Sequence, residues 1–303
     1  MISDDQLKTW SNTGALEKSE RTYSHIQNII TNNYDKSELD NKKLDIFLQG
    51  SYANHTNIRE NSDIDVVVML KDVWHADISK LSYFDKEVYN NNTGQSSIGA
   101  VDLKNTLKTI FLNKSIPIKE GNKCLKLTLP DHYLNVDIVP CIEYRVYKKC
   151  SKDYPHNPNN FIEGICITDL SGNKVINYPK LHKQNGGEKN QDVIGKNYKQ
   201  IVRIFKNVNY KILEPQNQNV PSYFIECLLS NVPDSNFKSD LTTTFYNCIT
   251  WLHDLDSKDI SNLKSQNGIT QLIGNSYKDS TVWDAEDCKN FINNIYNQVT
   301  KKV

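Results

Sequence analysis

Asp63 and Asp65 stand two residues apart where the chain enters the apolar run Val66–Leu70. In an extended strand, residues i and i+2 face the same side. Two carboxylates on one face repel, and burying either without a partner is costly. Divalent cations remove that repulsion. Mg2+ prefers oxygen ligands, and two such ions about 3.5–4 Å apart serve in-line transfer at phosphorus. A third acid, Asp137, lies between Val136 and Ile138 in a later strand-like segment, where it completes the side that activates the attacking hydroxyl. Gly50-Ser51, separated from Asp63 by eleven residues, adds a phosphate contact. Glycine lets the backbone come close, and the serine offers a hydroxyl and an amide N–H.

Each feature alone is ordinary. An isolated Asp-x-Asp is usually a solvated strand end, a Gly-Ser pair is a turn, and Asp137 could be a structural carboxylate bonded to backbone. In this order and spacing they predict metal-dependent nucleotidyl transfer. Asp63, Asp65 and Asp137 are then both the catalytic residues and the ligands of two Mg2+ ions, with Mn2+ as a substitute.

The elements that must position these groups follow from periodicity. Leu16, Tyr23, Ile26, Ile30 and Tyr34 recur at helical spacing and predict a long amphipathic helix over 16–34. Leu44, Ile46 and Leu48 alternate, so a strand runs into Gly50, followed by a short helix within 52–62 and a strand at DIDVVVML. KCLKLTL and YLNVDIVPCIEY read as a hairpin about Pro130-Asp131. Residues 148–160 and 180–192 read as loops from their Pro, Asn and Gly content. From Gly195 onward the pattern is helical, with Ile201, Ile204, Phe205 and Val208 on one face and a Pro-Ser helix start at 221–222.

The 303 residues carry 36 basic and 36 acidic side chains, so no global field draws in nucleic acid or anionic membrane. The seven cysteines are odd in number and form no C-x-x-C, which fits reduced thiols in a cytoplasmic protein. A zinc site from Cys124, His132 and Cys141 lacks the ligand-spaced pairs such sites use. No stretch approaches the length and apolarity of a membrane span.

The pattern Gly-Ser, eleven residues, Asp-x-Asp and a distant Asp resembles the polymerase β superfamily of nucleotidyltransferases. The stretches LQGSYANHTNIRENSDIDVVV, VINYPKLHKQNGGEKN, YKQIVRIFKN and VPSYFIECLLSNVPDSNF are more closely similar to bacterial CD-NTases, relatives of cGAS and the oligoadenylate synthases. Within these, the chain resembles clade E, typified by cyclic UMP–AMP synthases of CBASS anti-phage systems.

The resemblance implies an α+β fold: a mixed-sheet nucleotidyltransferase core over 1–190 and a helical lobe over 191–303 that closes a nucleotide cleft. The N-terminal helix would brace both lobes. It implies nucleotide contacts at Gln49, Gly50, Ser51, Asn177, Lys206, Ser222 and Tyr223. Lys206 and Ser222 would touch triphosphate, Tyr223 would stack on a base, and Asn177 would read a pyrimidine edge. Their bland alternatives are an exposed helix lysine, an N-cap, core packing and a loop asparagine. In KLHKQNGGEKN, residues 180–190, the glycines suggest a flexible flap beside the nucleotides, in which no ligand can be chosen among His182, Asn185 and Lys189.

The expected substrates are UTP and ATP, and the expected product is a cyclic dinucleotide passed to a separate effector. The enzyme is expected to be a monomer that uses no long nucleic acid and no membrane. A linear oligonucleotide synthase and a catalytically silent nucleotide-binding module are the competing readings. Retention of all three acids counts against the silent one.

Overall fold

The computed structural model describes residues 2–14, 16–34, 39, 41–60, 62–150, 157–276 and 281–300. The chain divides into two compact units. A sheet unit holds residues 15–52 and 61–180, and a helical unit holds 1–14, 53–60 and 181–303.

Among the described residues the sheet unit carries β1 (Leu44–Gln49), β2 (Ile64–Asp77), β3 (Ile118–Glu120), β4 (Leu125–Leu127), β5 (Val136–Tyr147), β6 (Phe161–Thr168) and β7 (Lys174–Asn177). They form one mixed sheet in which β1-β2-β5-β4-β3 are neighbours in that order, and β6 joins β5 to β7. The β2–β5 pair is parallel and the other pairs are antiparallel. One edge of β5 pairs with β2. Its other edge is shared, with β4 at Val136–Ile138 and β6 at Cys141–Tyr147.

The unbroken apolar run in β2 has a physical reason: both faces of the strand are buried. Ile64, Val66, Val68 and Leu70 face one core with Ile26 and Ile30 of α2 (Glu17–Tyr34) and with Leu103, Leu107 and Phe111 of α5 (Ala100–Asn113). Val67 and Met69 face a second cluster with Val139, Cys141, Ile165 and Ile167. The spacing of α2 matches the predicted 16–34 helix.

The helical unit contains α1 (Asp4–Trp10), α7 (Tyr198–Val208), α8 (Ser222–Ser230), α9 (Leu241–His253), α10 (Ser257–Ser261) and α11 (Ala285–Thr300), together with residues 181–192 of a helix that starts at Pro179. Their apolar faces share one core, which includes Leu7, Trp10, Ile201, Phe205, Phe224, Leu228, Phe245, Ile249, Phe291 and Ile295.

Three expectations are corrected. The sequence predicts a loop over 180–192, but Pro179–Asp192 is helical (α6). Pro179 begins it, as proline favours a first helical turn. Gly186 is buried, and a Cβ there would run into the Gln266 side chain, so this glycine serves close packing and not mobility. Second, α2 is grouped with the sheet unit. The polar-looking terminus before it forms α1 of the helical unit, capped by Ser3 and buried through Leu7 and Trp10. Third, the division falls at 180/181 and not at 190/191, and residues 53–60 cross to the helical unit. Asn54 and Thr56 explain that crossing, because both donate to the buried Glu226 carboxylate. Of the loop predicted over 148–160, residues 151–156 lie outside the described residues, and Pro158–Asn160 form a 3-10 turn.

Candidate active site

One transverse row of the sheet assembles the acids. Gln49 of β1 pairs with Asp65 of β2, Asp65 with Asp137 of β5, and Asp137 with Lys126 of β4. Paired residues in register point to the same face, and neighbouring strands lie about 4.8 Å apart. Asp63 sits one residue before β2 and is exposed. The hydrophobic pattern fixes the register. Ile64, Val66, Val136, Ile138, Leu125 and Leu127 all bury on the opposite face, so a one-residue slip would bury the acids instead.

The row is electrostatically unsettled. Burial, then the charges of Asp137 and Asp63, push the Asp65 carboxyl up to about 6, against a smaller lowering effect of Lys126. Asp137 Oδ2 accepts from Lys126 Nζ at 3.2 Å. Asp137 Oδ1 and Gln49 Oε1 are buried and accept no hydrogen bond. Beside them, burial and then the Asp137 charge raise the Cys124 thiol to about 11, so it stays protonated. Gly50 closes the row. Its φ is +70°, and a Cβ there would lie 2.5 Å from Asp65 Oδ2. Only glycine meets both demands without strain. Ser51 is half-buried in the short helix α3 (Gly50–Asn54) directly after it.

The donor set suits a hard divalent cation. It consists of carboxylate oxygens, two buried acceptors without donors, and a mutual repulsion that a cation would relieve. Among the described residues no group of three or more His, Cys, Asp or Glu side chains is gathered closely enough to hold a metal ion as it stands. That applies to Cys124, His132 and Cys141, and equally to Asp63, Asp65 and Asp137.

The same face continues from the acids towards Asn177. The apolar cluster of Val67, Met69, Val139, Cys141, Ile165 and Ile167 comes first. The row of Glu143, Ile165 and Asn177 follows. Glu143 is six residues beyond Asp137 on β5, on the order of 20 Å along the strand. Asn177 is half-buried at the end of β7, and its Oδ1 accepts from the Tyr178 amide at 2.8 Å. Asn177 is thus a strand-end residue, not the loop asparagine of the bland alternative. Beyond this row the face is tied by ion pairs in which Lys71 bridges Glu143 and Glu163, and Lys180 bridges Glu163 and Asp45.

The remaining candidates lie in the helical unit. Lys206 is neither an exposed helix lysine nor an open phosphate contact. It is 2% exposed, and its ammonium donates to Thr56 O, Thr56 Oγ1 and Glu226 Oε1. That uses all three of its donors. To reach a phosphate it would have to leave Glu226. Ser222 is exposed at the first position of α8, and Pro221 takes the N-cap position, so the serine is not the cap. Tyr223 is half-buried, with its ring stacked on His182 at 5.0 Å.

The three unassigned flap residues have structural bonds. His182 Nε2 pairs with Glu226 Oε2, Asn185 donates to Gln266 O, and Lys189 donates to Val232 O and Asp234. Sequence reasoning missed Glu226 and Lys126. Glu226 looks like any helix glutamate. Lys126 was legible, since Leu125 and Leu127 flank it and force it onto the opposite face, beside Asp137.

A concavity of about 840 Å³ lies in the sheet unit between His25, Asn28, Asn32, Lys114 and Tyr133. It contains no carboxylate and so cannot share the chemistry of the acid row.

Comparison with known proteins agrees with this geometry. Residues 184–300 match the cGAS/DncV-like nucleotidyltransferase C-terminal helical domain. The chain is 35% identical over 299 residues to a cyclic UMP-AMP synthase from Rhodothermus marinus, covering 96% of this chain and 95% of that protein. It is 30% identical over 282 residues to a cyclic dipurine nucleotide synthase from Elizabethkingia meningoseptica, covering 90% and 91%. The solved structure of the Rhodothermus marinus CdnE c-UMP-AMP synthase with Apcpp and Upnpp matches with a TM-score of 0.83 at 33% identity, over 99% of this chain and 97% of that one. A sheet row of acids, a helical unit of matching family and near full-length similarity lead to one conclusion: the chain belongs to the cGAS/DncV-like nucleotidyltransferases, the CD-NTase family.

Proposed function

We propose that the protein joins UTP and ATP into cyclic UMP–AMP, or into another uridine-containing cyclic dinucleotide, with release of pyrophosphate. The observation that carries this reading is the row Gln49–Asp65–Asp137, with its two unpartnered buried acceptors and its repelling carboxylates. The uridine rests on similarity to the Rhodothermus marinus synthase, whose structure holds an ATP analogue and a UTP analogue.

Asp63, Asp65 and Asp137 would hold two Mg2+ ions, or Mn2+ in their place. When bound, these supply Lewis-acid activation of the attacking hydroxyl and charge neutralisation at the leaving pyrophosphate. The protein's own groups do the rest. Gly50 lets the backbone reach the donor phosphates, and Ser51 adds a hydroxyl and an amide. The exposed Ser222 stands at a helix N-terminus, where anions are favoured. Tyr223 offers an aromatic ring for a base, and Asn177 offers an amide edge that matches the carbonyl and N–H of uracil. Cyclisation repeats one reaction twice, with the linear intermediate turned round between steps. The two bases are therefore read in separate pockets, and Asn177 governs one of them.

The product would feed a separate effector of a CBASS anti-phage system in the cytoplasm. All seven cysteines are free, and no helix of the described residues is long and apolar enough to cross a membrane. The test is incubation of the purified protein with Mg2+ and all four nucleoside triphosphates, then mass spectrometry of phosphatase-resistant products. A cyclic product containing uridine is expected. A product built from purines alone, as made by the Elizabethkingia meningoseptica relative's namesake activity, would overturn the uridine assignment. Pyrophosphate with only linear products would support an oligonucleotide synthase.

A further inference from the structure

Lys126 is the cation beside Asp137 in the acid row, and the exposed Lys119 of β3 follows it one strand further out. Lys126 sits opposite Asp137 on β4, with its ammonium 3.2 Å from Asp137 Oδ2. The three-residue strand is anchored without it. Leu125 and Leu127 are buried on the other face, at 0% and 1% exposure. The Lys126 side chain is 50% exposed. Its field reaches the other two acids as well, for it lowers Asp65 and is itself raised by Asp63, after the Asp137 contact. A lysine is a point charge on a flexible stem. A half-exposed one can leave a carboxylate at little cost.

We propose that Lys126 is the built-in counter-ion of the acid row, and that a divalent cation must displace it from Asp137 to bind. This rests on the metal-dependent reading of Asp63, Asp65 and Asp137. Without the cation, one positive charge partly offsets three negative ones and occupies Oδ2, while Oδ1 stays unpartnered. A divalent ion entering at Asp137 meets a like charge a few ångströms away, and that repulsion weakens its binding. Lys126 therefore sets the metal concentration at which the site fills.

The test is Mn2+ titration of the full chain, stripped of metal and without nucleotide, read by the electron paramagnetic resonance signal of free Mn2+. Lys126→Gln and Lys126→Met should each bind Mn2+ about three- to tenfold more tightly than wild type, as expected for losing one nearby positive charge in a partly solvated site. Lys126→Arg should bind like wild type, because it keeps the charge. The two neutral variants must agree, since they share only the loss of charge. Unchanged or weaker Mn2+ binding in both, with wild type binding normally, would overturn the inference alone. Absence of Mn2+ binding to wild type, or its retention in Asp63→Asn with Asp65→Asn, would overturn the metal reading and the inference with it.

Discussion

Two carboxylates in this protein sit in opposite surroundings, Asp65 half-buried and Glu226 fully buried. Asp65 sits in the sheet unit among like charges, with an unpartnered Asp137 oxygen beside it in register, and its carboxyl is pushed up to about 6 by burial and then by Asp137 and Asp63. Glu226 sits fully inside the helical unit. Burial alone would raise it, yet the Lys206 charge and the His182 hydrogen bond hold it well below the usual carboxylate range. Asn54 and Thr56 complete its shell. The contrast separates frustration from satisfaction. A buried acid with every lone pair matched holds a fold together. An acid left in repulsion is stored for a partner that the fold does not contain. That is why the sheet row, and not the better-bonded hub, is the site to test for chemistry.

The largest effect should come from removing the stored charge. Asp63→Asn with Asp65→Asn should lower pyrophosphate release by at least about a thousandfold, since the proposed cation site would lose two of its three carboxylates. Its urea midpoint without metal should stay level or rise, because asparagine keeps the volume and ends the repulsion. A fall in stability would show that the acids had been structural after all.

Next in size is the hub. Glu226→Ala leaves Lys206 buried without its carboxylate, and should cost about 3–5 kcal/mol in urea unfolding. Glu226→Gln should cost less, because its amide oxygen still accepts from the donors at one of the two carboxylate positions. A loss under about 1 kcal/mol for the alanine variant would mean that the hub is not a stability element.

The pH dependence of the two sites should have opposite signs. Asp65 has its pKa raised from 3.8 to about 6, so its contribution is full below about pH 4 and is lost as pH rises through 6. Relative to Asp65→Asn, the metal-free wild type should gain about 2–3 kcal/mol between pH 7.5 and 4. Glu226 is depressed from 4.5, so its contribution is present above that value and is lost as pH falls below it. Paired urea curves for Asp65→Asn and Glu226→Gln against wild type, taken across pH 4–7.5, read both signs. Parallel pH profiles in the two variants would erase the distinction between the sites.

The smallest effect concerns Asn177, which lies between the extremes: its oxygen is engaged by the Tyr178 amide, and it stays half-buried. Asn177→Ser should shift base preference towards purines by about tenfold, the worth of one hydrogen bond of roughly 1–3 kcal/mol, while pyrophosphate release continues. Product ratios from an equimolar nucleotide mixture report it. An unchanged ratio would leave Asn177 as a strand-end residue with no part in reading bases.

Much of the acid row was legible because its signals are local. The two-residue period marks Asp65, the apolar residues either side of Asp137 mark a second strand, and in the structure the two acids pair in register. The helix predicted over 16–34 and the helical half after Gly195 were legible for the same reason, since each has a strong apolar face of its own. Helix α6 was not. Its sequence is polar, with Gly186-Gly187 in the middle, and local propensity argues against a helix there. Packing overrides it, through the buried Gly186 against Gln266 and through Asn185 and Lys189 bonding to distant backbone.

The sequence by itself determined the chemistry on offer: three acids, a glycine before a serine, and strands to carry them, because side-chain type and a two-residue period are written in the chain. Only the tertiary structure decided which charges are left unmatched. Lys206 and Glu226 are twenty residues apart in sequence, and Thr56 is 150 residues from Lys206, yet the three share one buried cluster. Lys126 and Asp137 are eleven residues apart and become an ion pair only when β4 and β5 pair. Whether a charge is satisfied depends on what packs against it, and that partner is set by long-range folding, which no local pattern records.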